Sequence, residues 1–155
     1  MKTDTDTFFI EKASRQFTDW IAQCQVDMAG ETENLRLNHQ NVVSGVKYIF
    51  EHPERGFYVI AKNSEQQPVA VLLVLKEWSD WRNGDVWWLH SVYVTSRFRG
   101  KHVFSLMFDF VVQMAKANRV RGIRLYVDKT NVKAQAVYEK LGMTHEHYEL
   151  YEKMF

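Results

Sequence analysis

Three apolar runs in the middle of the chain, Gly56–Lys62, Val69–Glu77 and Asp85–Val94, set the frame into which everything else must fit. They are rich in Val, Leu, Tyr and Trp, and the connectors Asn63–Pro68 and Trp78–Gly84 bound them, so they read as strands joined in hairpins. At Lys101 the period changes. Lys101–Arg119 reads as a long helix, Gly122–Asp128 as a short strand, and Asn131–Leu141 as a helix with Ala134, Val137, Tyr138 and Leu141 on one stripe and Gly142 closing it. Ahead of the strands, Ser14 is placed to cap a helix carrying Trp20, Ile21, Cys24 and Met28 and ended by Gly30. A second helix covers His39–Glu51, with Val42, Val46 and Ile49 or Phe50 inward, and stops before Pro53. Met143–Tyr151 alternates loosely and reads as a last strand, which gives the order βααβββαβαβ and a mixed sheet flanked by helices.

The chain's 155 residues suit one domain, taken here as residues 1–155, and a chain of that size buries roughly 70% of its unfolded surface without a disulfide or metal staple. With 46% hydrophobic and 25% charged residues, disorder, collagen and coiled coil are excluded. The longest apolar run, Val69–Leu75, is far too short to span a bilayer. Met1–Thr7 lacks the basic and apolar parts of a signal peptide, and the single cysteine, Cys24, has no partner within its own chain; a cytoplasmic protein is expected. Cys24 lies on an apolar stripe with no basic neighbour in sequence to activate it, which marks core rather than nucleophile.

Charge is unevenly placed although the net value is only +1. Acidic residues exceed basic ones over 1–77, and the reverse holds over 78–155, where Arg97, Arg99, Lys101, Lys116, Arg119, Arg121 and Arg124 face a single acid, Asp109, between Thr95 and Leu125. Within that window, Val92 to Phe104 passes from a strand through a basic, glycine-containing turn into a helix. Such a junction gathers unpaired backbone N–H groups at the positive end of a helix dipole and forms a cradle for an anion such as phosphate. Arg97, Arg99 and Lys101 add mobile charge around it.

Arg97-x-x-Gly100-x-His102 resembles the Gln/Arg-x-x-Gly-x-Gly/Ala signature of the GCN5-related N-acetyltransferases (GNAT), and it stands, as in that family, after a long strand and before a long helix. Asn131 to Met143, with Ala134, Tyr138 and Leu141-Gly142-Met143, is similar to the family's C-terminal motif. Together the two motifs cover residues 85–143. The resemblance implies an α/β (mixed α+β) fold with a twisted, mostly antiparallel sheet of six or seven strands and about four helices. It also implies acetyl-CoA as co-substrate and a small-molecule or peptide amine as acceptor, and it admits a homodimer. The sequence departs from the family at His102, which stands where a small residue is usual; its bulk crowds a pyrophosphate, while its imidazole offers a donor to one.

The implied reaction sets requirements. An amine with a pKa near 10.4 costs about 4 to 5 kcal/mol to deprotonate at pH 7, and a thiol leaving group of pKa about 8.5 gains from a nearby acid. Tyr138 matches the family tyrosine that serves as this acid, although its stripe position also suits a core aromatic. His90, on the third long strand, is the candidate base, with Glu77 and Asp80 as alternates. Val92, Tyr93 and Val94 match the stretch that pairs with the pantetheine arm where the family's strands splay, and one of their N–H groups would face the thioester oxygen. Arg97, Arg99, Gly100, Lys101, His102, Val103 and Phe104 match the pyrophosphate turn, and Asn131 and Ala134 the start of the last helix. Asn131 would cap that helix and reach the pantetheine.

For the acceptor, Glu31 and Glu33 between the first helices, and Asp80 between Trp78 and Trp81, offer carboxylates and aromatic faces to a cation; solvated charges and sheet-packing tryptophans explain them equally well. Two competing functions stand beside acetyl transfer. A noncatalytic acyl-CoA-binding or sensor domain would explain His102. A nucleic-acid surface is weaker, since only Phe98 interleaves with the basic residues. Ser91 and Ser105 lack a nucleophile elbow, and His145-x-His147 lacks further metal ligands, so neither a hydrolase nor a metal site is expected. No membrane partner is expected.

Overall fold

The computed structural model describes residues 6–155. Residues 1–5, which hold most of the polar start Met1–Thr7, lie outside the described residues. The chain divides into two compact units, one ending at Arg124 and one running from Leu125 to Phe155.

Among its described residues the first unit holds five strands: β1 (Phe9–Lys12), β2 (Gly56–Lys62), β3 (Pro68–Ser79), β4 (Gly84–Val94) and β5 (Gly122–Arg124). They lie in the order β1-β2-β3-β4-β5, every pair antiparallel except the parallel β4–β5. Sequence neighbours pair because hairpins need only short connectors, whereas the parallel step needs the crossover that α3 (Val103–Ala117) supplies. Helices α1 (Thr18–Glu33) and α2 (His39–Glu51) cover one face. There Ile21, Ala22 and Cys24 of α1 and Val43, Val46 and Ile49 of α2 cluster with Tyr58, Ile60, Val71 and Tyr93 of the sheet. Ile21 and Ile60 are fully buried, each worth about 1.5–3 kcal/mol of transfer free energy. The alternate side chains Val59, Leu72, Val74 and Leu89 are buried too, and α3, inward through Val103, Met107 and Val111, packs on β1, β2 and β4. No helix of the described residues is long and apolar enough to cross a membrane.

α2 and β2 begin and end where the sequence places them, and α2 is capped by Asn38, whose Oδ1 accepts from the Asn41 N–H at 3.0 Å. The first helix differs at both ends. A 3-10 turn at Arg15–Phe17 precedes α1, Ser14 makes no side-chain cap there, and α1 continues past Gly30 to Asn34, which takes the left-handed cap at φ 50°. A glycine costs a helix interior only about 1 kcal/mol, too little to stop the helix there, and the Asn34 N–H closes it on the Ala29 carbonyl. α3 is shorter than Lys101–Arg119, and β5 ends at Arg124 rather than Asp128.

The second unit holds α4 (Val132–Lys140). Two expectations need correction: among the described residues the sheet has five strands rather than six or seven, and Met143–Tyr151 forms no strand. Alternation alone does not make a strand, because the backbone also needs a ladder partner. The segment instead runs irregularly with Tyr148, Leu150 and Tyr151 exposed.

Candidate functional site

β4 is the strand on which the site is built, and two irregularities set it apart. Val71 pairs with Tyr93 and Leu73 with His90, so Ser91 and Val92 together stand opposite Leu72. This is a β-bulge, with Ser91 at φ 52°. Because the bulge inserts one residue, His90 and Tyr93 lie on the same face, the one α1 and α2 cover. On its other edge β4 pairs with β5 only over Val86–Trp88, so that ladder stops while the strand runs on to Val94. The stretch Val92–Val94 therefore follows the bulge directly and lies beyond the last β4–β5 pair.

Along the helix-covered face, Glu77, Trp88 and His90 follow one another by register. Trp88 donates its Nε1–H to the Glu77 carboxylate, Arg124 Nη1 lies 4.0 Å from Glu77 Oε1, and the Trp88 and His90 rings stack at 6.2 Å. His90 is half-buried, and desolvation holds its pKa below the usual histidine value, which favours the neutral, proton-accepting ring.

After β4 the chain makes a 3-10 turn at Ser96–Phe98 and enters α3 through Gly100 at φ 74° and His102 at φ 60°. Both residues take the left-handed form, which glycine adopts freely and a histidine does not. A Cβ at Gly100 would meet nothing within 4 Å, so the turn is open there. His102 is the N-cap of α3 and makes no side-chain capping bond, which leaves the first-turn N–H groups for an outside acceptor. These features fit an anion of the pyrophosphate kind. The three cations of the turn are engaged differently. Arg99 pairs with Glu31 at 2.6 Å, Lys101 pairs with Asp6, and Arg97 lies over the Phe98 ring at 5.6 Å. Phe104 lies 6.1 Å from Phe108, ring to ring, and is half-buried at the start of α3.

In the second unit, Asn131 caps α4 as its sequence position implies, with Oδ1 accepting from the Ala134 N–H at 3.1 Å. The helix closes through Gly142 at φ 85°: the Gly142 N–H donates to the Glu139 carbonyl at 3.0 Å and the Met143 N–H to the Tyr138 carbonyl at 3.1 Å. This explains the Leu-Gly-Met ending in backbone terms. The Tyr138 side chain is half-buried, and burial raises its pKa, so the hydroxyl keeps its proton. Among the described residues no three His, Cys, Asp or Glu side chains gather around a metal-sized site, and His145 lies 3.5 Å from Glu139.

The residues expected to meet the acceptor are scattered. Register places Trp78 on the sheet face opposite His90, Trp81 is 88% exposed at the β3–β4 turn, and Asp80 accepts from the Trp81 N–H at 2.9 Å. Glu33 is exposed at the end of α1, whereas Glu31 is bound by Tyr93 and Arg99. Sequence reasoning missed the Trp88–Glu77–Arg124 group and the bulge. Pairing partners decide both, and local pattern carries no signal for either.

The family described as Acetyltransferase (GNAT) family matches residues 15–143. A possible acetyltransferase from Clostridium difficile 630 superposes with a TM-score of 0.87 at 34% identity, over 96% of this chain and 97% of that one. A predicted acetyltransferase from Clostridium acetobutylicum, solved with acetyl-CoA, gives a TM-score of 0.74 at 19% identity over 94% and 96% of the two chains. Glucosamine-6-phosphate N-acetyltransferase from Arabidopsis thaliana gives 0.71 at 18% identity over 96% and 99%. The two more distant structures share the fold. No curated protein matches the chain.

Proposed function

The chain belongs to the Acetyltransferase (GNAT) family, and from that premise we propose that it transfers an acetyl group from acetyl-CoA to a primary amine of a small molecule or peptide, in one ternary complex. On this reading residues 1–155 act as a single acetyltransferase domain in the cytoplasm.

The observation that carries the reading is the run of irregularities along β4 and just beyond it: a ladder that ends at Trp88, a bulge at Ser91–Val92, and a glycine-containing turn into α3 with no side-chain cap. The turn's N–H groups hold the diphosphate, and the helix dipole strengthens that hold. Backbone groups of Val92–Val94 take the pantetheine arm, and one N–H faces the thioester oxygen as charge develops on it. His90, neutral at pH 7, accepts the proton of the attacking amine through water. The amine nitrogen bonds to the carbonyl carbon as the carbon–sulfur bond breaks, and Tyr138 gives its hydroxyl proton to the departing sulfur. Asn131 and Ala134 line the pantetheine, while Glu33, Asp80 and the exposed Trp81 offer acidic and aromatic surface to a cationic acceptor.

Release of CoA from acetyl-CoA in the presence of a panel of primary amines tests the proposal, with CoA affinity measured separately by calorimetry. A second reading, a noncatalytic acyl-CoA-binding domain, is favoured by His102 occupying a left-handed position in the turn. Binding without turnover on any amine would select it.

A further inference from the structure

Three side chains that the sequence assigns to different tasks form one network. Tyr93 donates its hydroxyl to Glu31 Oε1 at 2.8 Å, and Arg99 Nη2 donates to Glu31 Oε2 at 2.6 Å, across a separation of 68 residues. Both carboxylate oxygens of Glu31 are thus held by the protein's own donors. Arg99 also donates from Nε to the Val94 carbonyl at 2.8 Å, and its guanidinium lies 5.3 Å from the centre of the Tyr93 ring.

Arg99, the residue that follows the 3-10 turn, therefore ties the turn back to the end of β4, and Glu31 fixes Arg99 from the C-terminal end of α1. Arg99 is about half exposed, and the pair alone is worth little as an ion pair. Its value is in geometry. The carbonyl of Val94, the ring of Tyr93 and the carboxylate of Glu31 each hold the guanidinium, and through it they tie the turn after β4 to α1. A turn ordered before its ligand arrives does not have to be ordered by it, which strengthens binding. A carboxylate whose charge is already matched by a guanidinium, and which also accepts from a phenol, makes a poorer counter-ion for a second cation than a free one.

We infer that Glu31 is a positioning residue for the coenzyme turn, acting through Arg99, rather than a contact for the amine. The inference rests on the reading of that turn as the diphosphate site.

The test is calorimetric titration of CoA into the parent protein and into E31Q, R99K and the double variant, with steady-state kinetics on whichever amine is turned over. E31Q keeps an acceptor for the Tyr93 hydroxyl and removes the charge that holds Arg99. It is expected to weaken CoA binding about fivefold, with the loss appearing in KM for acetyl-CoA and not in KM for the amine. The double variant is expected to lose no more than R99K, because both substitutions break the same link. An unchanged CoA affinity in E31Q, with or without a lower melting temperature, overturns the inference, and a rise confined to the amine KM returns Glu31 to the acceptor. Failure of the parent itself to bind CoA overturns the diphosphate reading, and this inference with it, before any variant is compared.

Discussion

The imidazole of His90 lies 6.2 Å from the indole of Trp88, ring to ring, with the two planes 24° apart. His90 is half-buried, and burial lowers its pKa from 6.5. If His90 is the base, kcat/KM for the amine falls on the acid side as the imidazole protonates, at a pH below 6.5. His90→Ala should lose that acid limb and about 10²-fold or more in kcat/KM. A variant profile that superimposes on the parent's excludes His90.

The same shift makes a stability prediction. Below pH 6.5 the unfolded chain takes up a proton on this histidine before the folded one does. The stability that comes from keeping His90 neutral is therefore complete above 6.5 and is lost as pH falls through the lower folded value. Urea midpoints measured from pH 7.5 to 5 should decline more steeply for the parent than for His90→Ala.

Tyr138→Phe removes the hydroxyl while keeping the ring on α4. Turnover should fall by one to a few powers of ten, about the range for loss of a general acid, while CoA affinity by calorimetry stays within about twofold. Since burial raises the Tyr138 pKa above 10, the parent should show no basic limb from this group below pH 10. Unchanged turnover removes Tyr138 from the mechanism.

His102 takes the left-handed conformation at φ 60° with no capping bond from its side chain. His102→Gly should relieve about 1 kcal/mol of backbone strain, offset in part by the freer unfolded chain, so the melting temperature changes little. CoA affinity should be equal or tighter, since bulk is removed from the turn. Weaker binding in the glycine variant would identify the imidazole as a phosphate donor.

Cys24 lies 3% exposed in the cluster beneath α1 and α2, and its thiol pKa is pushed up to about 12, first by desolvation and then by Asp27. Little thiolate forms at pH 8, so alkylation by iodoacetamide should be negligible in the native protein and rapid in urea. Mass spectrometry reads this directly, and fast native labelling would contradict the burial of Cys24.

Much of the fold was legible because it follows from local period. Tyr58, Ile60, Val71 and Leu73 alternate as strands must, and Val43, Val46 and Ile49 recur as a helix must. The capping of α4 by Asn131 and its closure by Gly142 were equally local, since both are hydrogen bonds over three to five residues. The last strand was misread because Met143–Tyr151 alternates with no ladder to join. Of the site, the turn from Arg97 to Phe104 was visible as a strand–turn–helix junction, but the engagement of its cations was not.

By itself the sequence determined where the chain extends, coils and turns, because spacing of apolar side chains and backbone preference act within a few residues. It also determined the family, through two motifs that lie on those elements. Tertiary structure decided what no window of sequence contains. The register of β3 against β4 set the bulge at Ser91 and brought His90 and Tyr93 to one face, and the short β5 ended its ladder at Trp88. The packing of α1 on the sheet put Glu31 within reach of Arg99. These are pairings between distant segments, fixed by how whole elements pack together, so they exist only once the fold does.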